Sequence, residues 1–435
     1  MNTIRLPVRM AILLSALGLW LAPVGAQARP DDTSGSLTLP QALQQSLLHN
    51  PALKRYPYDL RVTDALSLQA GIRPTPQLGV KVEDLLGSGD LSGSQAMVTT
   101  LSLSQLVELG DKRQRRLDLA LSQGGQQQLA FEQQKLEVLA DTTRLFYQQL
   151  RLQALLDWST QRIQREQHAL DTIRQRADAG AVMQADVAKM ALRLSRSQTL
   201  NHKLEGELRQ ARRRLASQWA AEPGFDQVTG ALRLPATLPD STHILDALAT
   251  APAYLEQQGL TRVLQAKARL EEAKNQYDLT LEAGVKHNAA LEDAALTLSV
   301  SLPLTLTPPN QGGLLAAKEQ AQWQLDRQAL LLTQLRLTLE EMLQGLTNNA
   351  EQAHRLKHQL LPQAQTLLDQ SLTAYNAGRI SVLQLADAQE ELFAVERDLI
   401  EARYAALTQL LEMERLTGRP MTPAHPSLLT QEIQP

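Results

Sequence analysis

Two short stretches decide how this chain is read: Tyr277-Asp-Leu-Thr-Leu-Glu-Ala-Gly-Val-Lys286 and, after a brief polar break, Leu296-Thr-Leu-Ser-Val-Ser-Leu-Pro-Leu-Thr305. In the first, Tyr277, Leu279, Leu281, Ala283 and Val285 alternate with Asp278, Thr280, Glu282, Gly284 and Lys286. In the second, Leu296, Leu298, Val300, Leu302 and Leu304 alternate with Thr297, Ser299, Ser301, Pro303 and Thr305. A period of two sends alternate side chains to opposite faces of a sheet. One face is aliphatic and the other charged and hydroxylated, which suits a strand with lipid on one side and water on the other.

Working outward, the first half of the chain carries a weaker copy. Leu78, Val80 and Val82 alternate with Gly79, Lys81 and Glu83; then Leu101 and Leu103 alternate with Thr100, Ser102 and Ser104. A long helical stretch follows each pair. Asp111 to Glu222 contains no proline, and Leu136, Leu139, Thr143, Phe146 and Leu150 form a 3-4-3-4 seam. Beyond Gly180 the seam resumes as Leu200, Leu204, Leu208, Ala211 and Leu215. A helix from Asp111 to Ala177 would be about 100 Å long at about 1.5 Å per residue, a length that fits a coiled-coil hairpin with its tip near Gly180. Asn310 opens the second helical region, with a kink expected at Pro362. Gly378 falls about 198 residues after Gly180. Leu385, Ala388, Leu392, Val395, Leu399 and Ala402 then repeat 3-4-3-4-3.

The expected organisation is residues 1–28 as a signal peptide and 29–236 as a first repeat, with strands near 77–86 and 95–106 and a helical hairpin over 111–220. Residues 237–435 form a second repeat, with strands near 277–287 and 294–305, a hairpin over 310–418 and an irregular tail. Ala251-Pro252 sits where Asn50-Pro51 did. The fold class is mainly α with a small β part. Four strands cannot close around a lumen, and an open sheet edge is not tolerated in lipid. Three copies would supply twelve strands, enough for an open pore.

The bulk composition agrees. With 43 Lys+Arg against 46 Asp+Glu, the charge argues against a nucleic-acid partner. Cysteine is absent, which removes disulfides, thiolate nucleophiles and thiolate metal sites. Aromatics make up only 3% of the chain, so its interior is expected to be aliphatic helix seams. Arg5 and Arg9, the apolar run Met10–Ala22 and Ala26-Gln-Ala28 read as an export signal with its cleavage site, and an exported chain without a transmembrane helix is expected.

The chain resembles the TolC-like outer-membrane efflux family over nearly its whole expected mature length. The residues that carry the resemblance are Asn50-Pro51, Thr100-Leu-Ser-Leu-Ser-Gln105, Glu108-Leu-Gly-Asp-Lys-Arg113, Leu360-Leu-Pro-Gln363, and Tyr375-Asn-Ala-Gly378 followed by Leu385-Ala-Asp387. The Ser104 to Arg113 stretch is similar to the CzcC/CusC-type branch, which exports heavy-metal cations. It departs from the usual pattern at Leu106 and Asp111, where that branch has proline and a second glycine.

The resemblance implies a homotrimer in the outer membrane of a Gram-negative bacterium. A twelve-stranded β-barrel in lipid would continue as a periplasmic helical barrel. The implied partners are a periplasmic adaptor and an inner-membrane pump, and the implied role is a passive exit duct. It further implies adaptor docking at the two turns, Gly180-Ala181-Val182 with Asp186 and Gly378-Arg379-Ile380. It places Asp387 at the tunnel constriction, with Gln384 where the family often has a second acidic residue. The same fold in drug efflux or type I protein secretion, and a non-channel periplasmic coiled-coil scaffold, are the alternatives.

Other chemistry is weaker. His354 and His358 stand one helical turn apart but lack a third ligand, and read as a surface pair. Met183 and Met190 read as packing before soft-metal ligands. Lys112, Arg113, Arg115 and Arg116 fit either a headgroup-facing cluster or a solvated helix start. Arg212, Arg213 and Arg214 read as a solvated face paired with Glu205 and Glu207. No phosphate loop, nucleophile elbow or supported carboxylate pair is present, so the sequence offers no positive sign of an enzyme or of a cofactor.

Overall fold

The structure, a computed structural model, describes residues 35–421 apart from 87, 90–93, 95 and 304–306. The expected export signal, Leu304 and Thr305, and the tail beyond Met421 lie outside the described residues. The first repeat runs β1 (Ser36–Thr38), α1 (Leu39–His49), α2 (Pro51–Lys54), α3 (Tyr56–Ala70), β2 (Gln77–Glu83), β3 (Val98–Val107), α4 (Lys112–Asp178) and α5 (Gln184–Ser217). After β4 (Gln227–Thr229) come α6 (Ser241–Leu248), α7 (Pro252–Ala273), β5 (Leu279–Asn288), β6 (Asp293–Ser301), α8 (Gln311–Arg355), α9 (Leu361–Asn376) and α10 (Val382–Thr417).

The two strand pairs merge into one antiparallel sheet of order β2-β3-β5-β6, with β2 and β6 as its edges. Both repeats thus feed one surface. The strand pattern read from sequence overran the strand ends: Leu85 and Leu86 lie past β2 on the hairpin side, and Leu302 and Pro303 lie past β6 on the side leading to α8. Alternation continues beyond the last ladder bond because it reports face and not pairing, and Pro303 has no N–H to donate.

Helix α4, with 67 residues, is about 100 Å long at 1.5 Å per residue. Its seam residues Leu139, Thr143, Phe146 and Leu150 are buried. The core is distributed along the helices in small aliphatic clusters. One joins Phe146, Leu150, Leu215 and Leu407 to the linker residues Phe225, Val228 and Leu232. The three-residue parallel pair β1–β4 gives that linker its anchor, and strands this short carry no periodicity to read.

At Pro362 the helical path continues through a π turn, Leu356–Leu360, in which the Leu361 N–H reaches back to the Leu356 carbonyl. Proline lacks the N–H for an i→i−4 bond and its ring crowds that carbonyl, so the wider turn absorbs the mismatch.

Candidate functional site

The sheet is amphipathic in the opposite sense to a soluble core. In β3 and β5 the polar side chains are half-buried while Leu101, Leu103, Leu281 and Val285 are exposed; on β6, Leu296 and Leu298 are 85% and 87% exposed. The polar face is thus the more sheltered one, and the aliphatic face is turned outward. Water would make that face costly, at roughly 25 cal/mol per Å², whereas hydrocarbon would not. Cross-strand partners put Val80, Leu101, Val285 and Leu296 in one outward row and Leu78, Leu103, Ala283 and Leu298 in the next. The inward rows are Gln77, Ser104, Glu282 and Ser299, then Gly79, Ser102, Gly284 and Thr297, then Lys81, Thr100, Lys286 and Ala295, then Glu83, Val98, Asn288 and Asp293. Gly284 is required by close approach: a Cβ there would lie 2.8 Å from the Leu101 carbonyl oxygen and 2.9 Å from Thr297 Oγ1.

Where the sheet meets the helices, the Glu108 to Arg116 stretch is a joint. Gly110 and Asp111 both take the left-handed conformation, φ +73° and +58°, and turn the chain from β3 into α4. Lys112 Nζ is 2.7 Å from Asp278 Oδ1, and the same oxygen accepts from the Leu109 N–H at 3.2 Å. Arg116 pairs with Glu108 and donates to the carbonyls of Ala70 and Ile72. Within the basic cluster, Lys112 and Arg116 are tied inward and Arg115 pairs with Asp118, while Arg113 is exposed. Short-range spacing could not have revealed Asp278 as the partner.

The lower end is formed by two turns. Gly180 and Gly378 have φ +72° and +70°, with open space around each. In both turns the glycine N–H and the next N–H reach back to close a Schellman motif: Gly180 to Ala177 and Ala181 to Arg176, Gly378 to Tyr375 and Arg379 to Ala374. An apolar cluster packs the tips together, with Leu170, Ile173, Met190 and Leu194 from the first hairpin and Tyr375, Val382, Leu385 and Ala386 from the second. Val182 and Ile380 lie against it, half-buried. The Arg176 guanidinium lies 4.2 Å above the Tyr375 ring. Asp387 is 65% exposed at its side chain, and its Oδ1 is 2.6 Å from Arg193 Nη2 of α5. Gln384 caps α10: its Oε1 accepts from the Ser381 N–H at 2.9 Å, and the Ser381 hydroxyl oxygen accepts from the Gln384 N–H at 3.3 Å. Asp186 has no ion-pair partner among the described residues.

The Arg193–Asp387 pair ends a series. Further up α10, Arg162 of α4 holds Glu390 at 2.6 Å, Arg151 holds Glu401 at 2.6 Å, and Arg144 holds Glu412 at 2.5 Å. Burial pushes the Glu412 carboxyl up, but the hydrogen bonds from Arg415 and Arg144 outweigh it and hold Glu412 below the usual range. These ties span more than 190 residues of sequence, so local pattern reading missed Arg193, Arg176 and the other arginines.

The remaining candidates separate. Met190 is fully buried in the tip cluster while Met183 is 73% exposed, so the two do not converge on a ligand. His354 and His358 have ring centroids 4.5 Å apart and line a groove of about 880 Å³ with Asp157, Arg403 and the linker. Among the described residues no group of three or more His, Cys, Asp or Glu could hold a metal ion. Arg212 is not a solvated pair partner: its Nε is buried without a hydrogen bond, while Glu205 and Glu207 pair with His202 and Lys203.

An outward aliphatic wall with two open edges, mounted on a long helical stalk with a packed tip, defines a channel-forming outer-membrane protein. Among the described residues no helix is long and apolar enough to cross a membrane. The model of the family "Outer membrane efflux protein" matches residues 42–221. The cobalt-zinc-cadmium resistance protein CzcC of Cupriavidus metallidurans is 24% identical over 415 residues, covering 94% of this chain and 96% of that one. The nickel and cobalt resistance protein CnrC of the same organism is 24% identical over 316 residues, covering 71% and 73%. The solved structure of CusC superposes with a TM-score of 0.71 at 16% identity, covering 87% of this chain and 91% of that one. The chain is thus similar to outer membrane efflux proteins over residues 42–221 and to CzcC over nearly its whole length, and it shares the fold of CusC.

Proposed function

We propose that this protein is the outer-membrane exit duct of a tripartite efflux system and that it passes heavy-metal cations from the periplasm to the outside. The observation that carries the duct reading is the sheet: polar on its sheltered face, aliphatic on its exposed face and open at both edges. One chain cannot satisfy the free backbone groups of β2 and β6 in lipid, so β6 of one copy pairs with β2 of the next and three copies close twelve strands. Exposed apolar side chains on α3 (Leu60, Val62, Leu66, Leu68) and along α8 and α9 (Trp323, Leu330, Leu337, Leu367) supply further surface for neighbouring copies. The cargo reading rests on the metal-resistance relatives CzcC and CnrC.

In this reading a periplasmic adaptor docks on the turns at Gly180 to Asp186 and Gly378 to Ile380 and links the duct to an inner-membrane pump, which supplies the energy. Asp387 from three copies rings the constriction and favours cations over anions. Arg193 partly neutralises that ring in the closed tip, so opening would require the Arg193–Asp387 pair to part.

A deletion strain tests the cargo: it should become sensitive to cobalt, zinc, cadmium or nickel and keep its tolerance of dyes and antibiotics. The reverse pattern would favour the multidrug alternative. Purified protein that migrates as a trimer from outer-membrane fractions and conducts ions in a planar bilayer supports the duct; a soluble, non-conducting protein sinks it.

A further inference from the structure

On the polar face of the sheet the charges are sorted by row. Lys81 and Lys286 share one cross-strand row, separated by Thr100. The next row toward the hairpin loops carries Glu83 and Asp293. Two rows toward the helices stands Glu282, with the small row of Gly79, Ser102 and Gly284 in between. Rows on one face are about 6.7 Å apart, two residues of strand rise. The lysine row is only partly neutralised. Lys81 Nζ lies 2.7 Å from Glu83 Oε1, but Lys286 has no ion-pair partner among the described residues. Lys286 is also on a central strand, half-buried on the polar face, beside the position that Gly284 leaves without a side chain.

We propose that Lys81 and Lys286 form a cation-release band in the outer segment of the duct. The proposal rests on the duct reading above. Three copies would bring the lysine row around the lumen, opposite in sign to the Asp387 ring at the far end. Conduction needs sites that hold an ion well enough to admit it and weakly enough to let it go. An acidic tip serves the first need. A lysine band, with carboxylates set one row outward and two rows inward, serves the second, because a divalent cation finds no uninterrupted run of carboxylates in which to dwell. Anions pass this band more readily than they pass the tip.

The test is the cation-to-anion permeability ratio of the full-length trimer in a planar bilayer, taken from the reversal potential under a potassium chloride gradient. The comparison is made in an Asp387→Ala background so that the tip does not set the ratio. Lys286→Gln should raise the ratio about fourfold, since one unit charge felt through water at about 10 Å changes cation and anion occupancy about twofold each, in opposite directions. Lys81→Gln with Lys286→Gln should raise it further and introduce block by zinc added from the outer side. Glu282→Gln should lower it. A conducting trimer whose ratio and zinc response stay unchanged in all three variants overturns the release band and leaves the duct standing. A parent trimer that conducts nothing overturns both.

Discussion

The two tips share a backbone and differ in what they do with it. Offset by 198 residues, Gly180 and Gly378 close the same Schellman turn with the same positive φ. At that offset Ser381 and Gln384 answer to Met183 and Asp186, and Asp387 answers to Lys189. The second tip therefore has a complete capping box and Asp387; the first has an N-cap without a hydroxyl, its carboxylate Asp186 in the first turn, and a lysine at the position of Asp387. Tyr375, which Arg176 covers, answers to Ala177. Duplication preserved the turn, and the chemistry then diverged to place the capped helix start and Asp387 in the second repeat alone. A symmetric pair of tips could not single out one carboxylate per chain.

The largest break in the comparison should come from Asp387. Asp387→Ala should raise the conductance of the isolated trimer severalfold or abolish its block by divalent cations, whereas Asp186→Ala should do neither. Equal responses in single-channel recordings would remove the distinction between the tips.

At the other end of α10, Glu414 extends the comparison to one helix's two ends. Asp387 is exposed and paired, but Glu414 is 5% exposed, and burial raises its carboxyl to about 7 despite the hydrogen bond it accepts from the Met421 N–H. A raised carboxylate contributes stability below its unfolded-state pKa and loses it as pH climbs through the folded value. Denaturant stability should therefore fall between about pH 4.5 and 7, by about 3 kcal/mol from this group. Glu414→Gln keeps an acceptor for the Met421 N–H and should flatten that dependence; an unchanged slope would show that Glu414 is not buried as a carboxylate.

Smaller effects test what the tips have in common. Gly180→Ala and Gly378→Ala should each cost about 1 kcal/mol, since a Cβ meets nothing at either site and only the left-handed backbone resists it. Unequal costs, read by hydrogen exchange of the flanking amides, would mean that the turns are not equivalent. Ser381→Ala should cost about 1 kcal/mol of tip stability, and Met183→Ser should recover part of that at the first tip. If both substitutions were silent, the capping box would not explain the difference between the tips.

Much of this was legible in the sequence because it is local. Alternation assigned Leu296, Leu298 and Val300 to one face, and the glycines at matching offsets located the turns. The Glu108 to Arg113 stretch supported the resemblance to the metal-exporting branch, and in the structure Glu108 and Lys112 hold a strand-to-helix joint. His354 and His358, one helical turn apart in sequence, are close in space too, and among the described residues no third His, Cys, Asp or Glu forms a metal-holding group with them.

The sequence by itself determined the faces of the strands, the length of the helices and the places where the chain reverses, because each depends on residues within a turn or two of one another. Only the tertiary structure decided that the two strand pairs share one sheet, that its polar side is the sheltered one, and that Arg193 meets Asp387 and Lys112 meets Asp278. Those pairings join residues more than 160 positions apart, and charge pairing at that range follows from how the helices pack, which leaves no period in the sequence to be read.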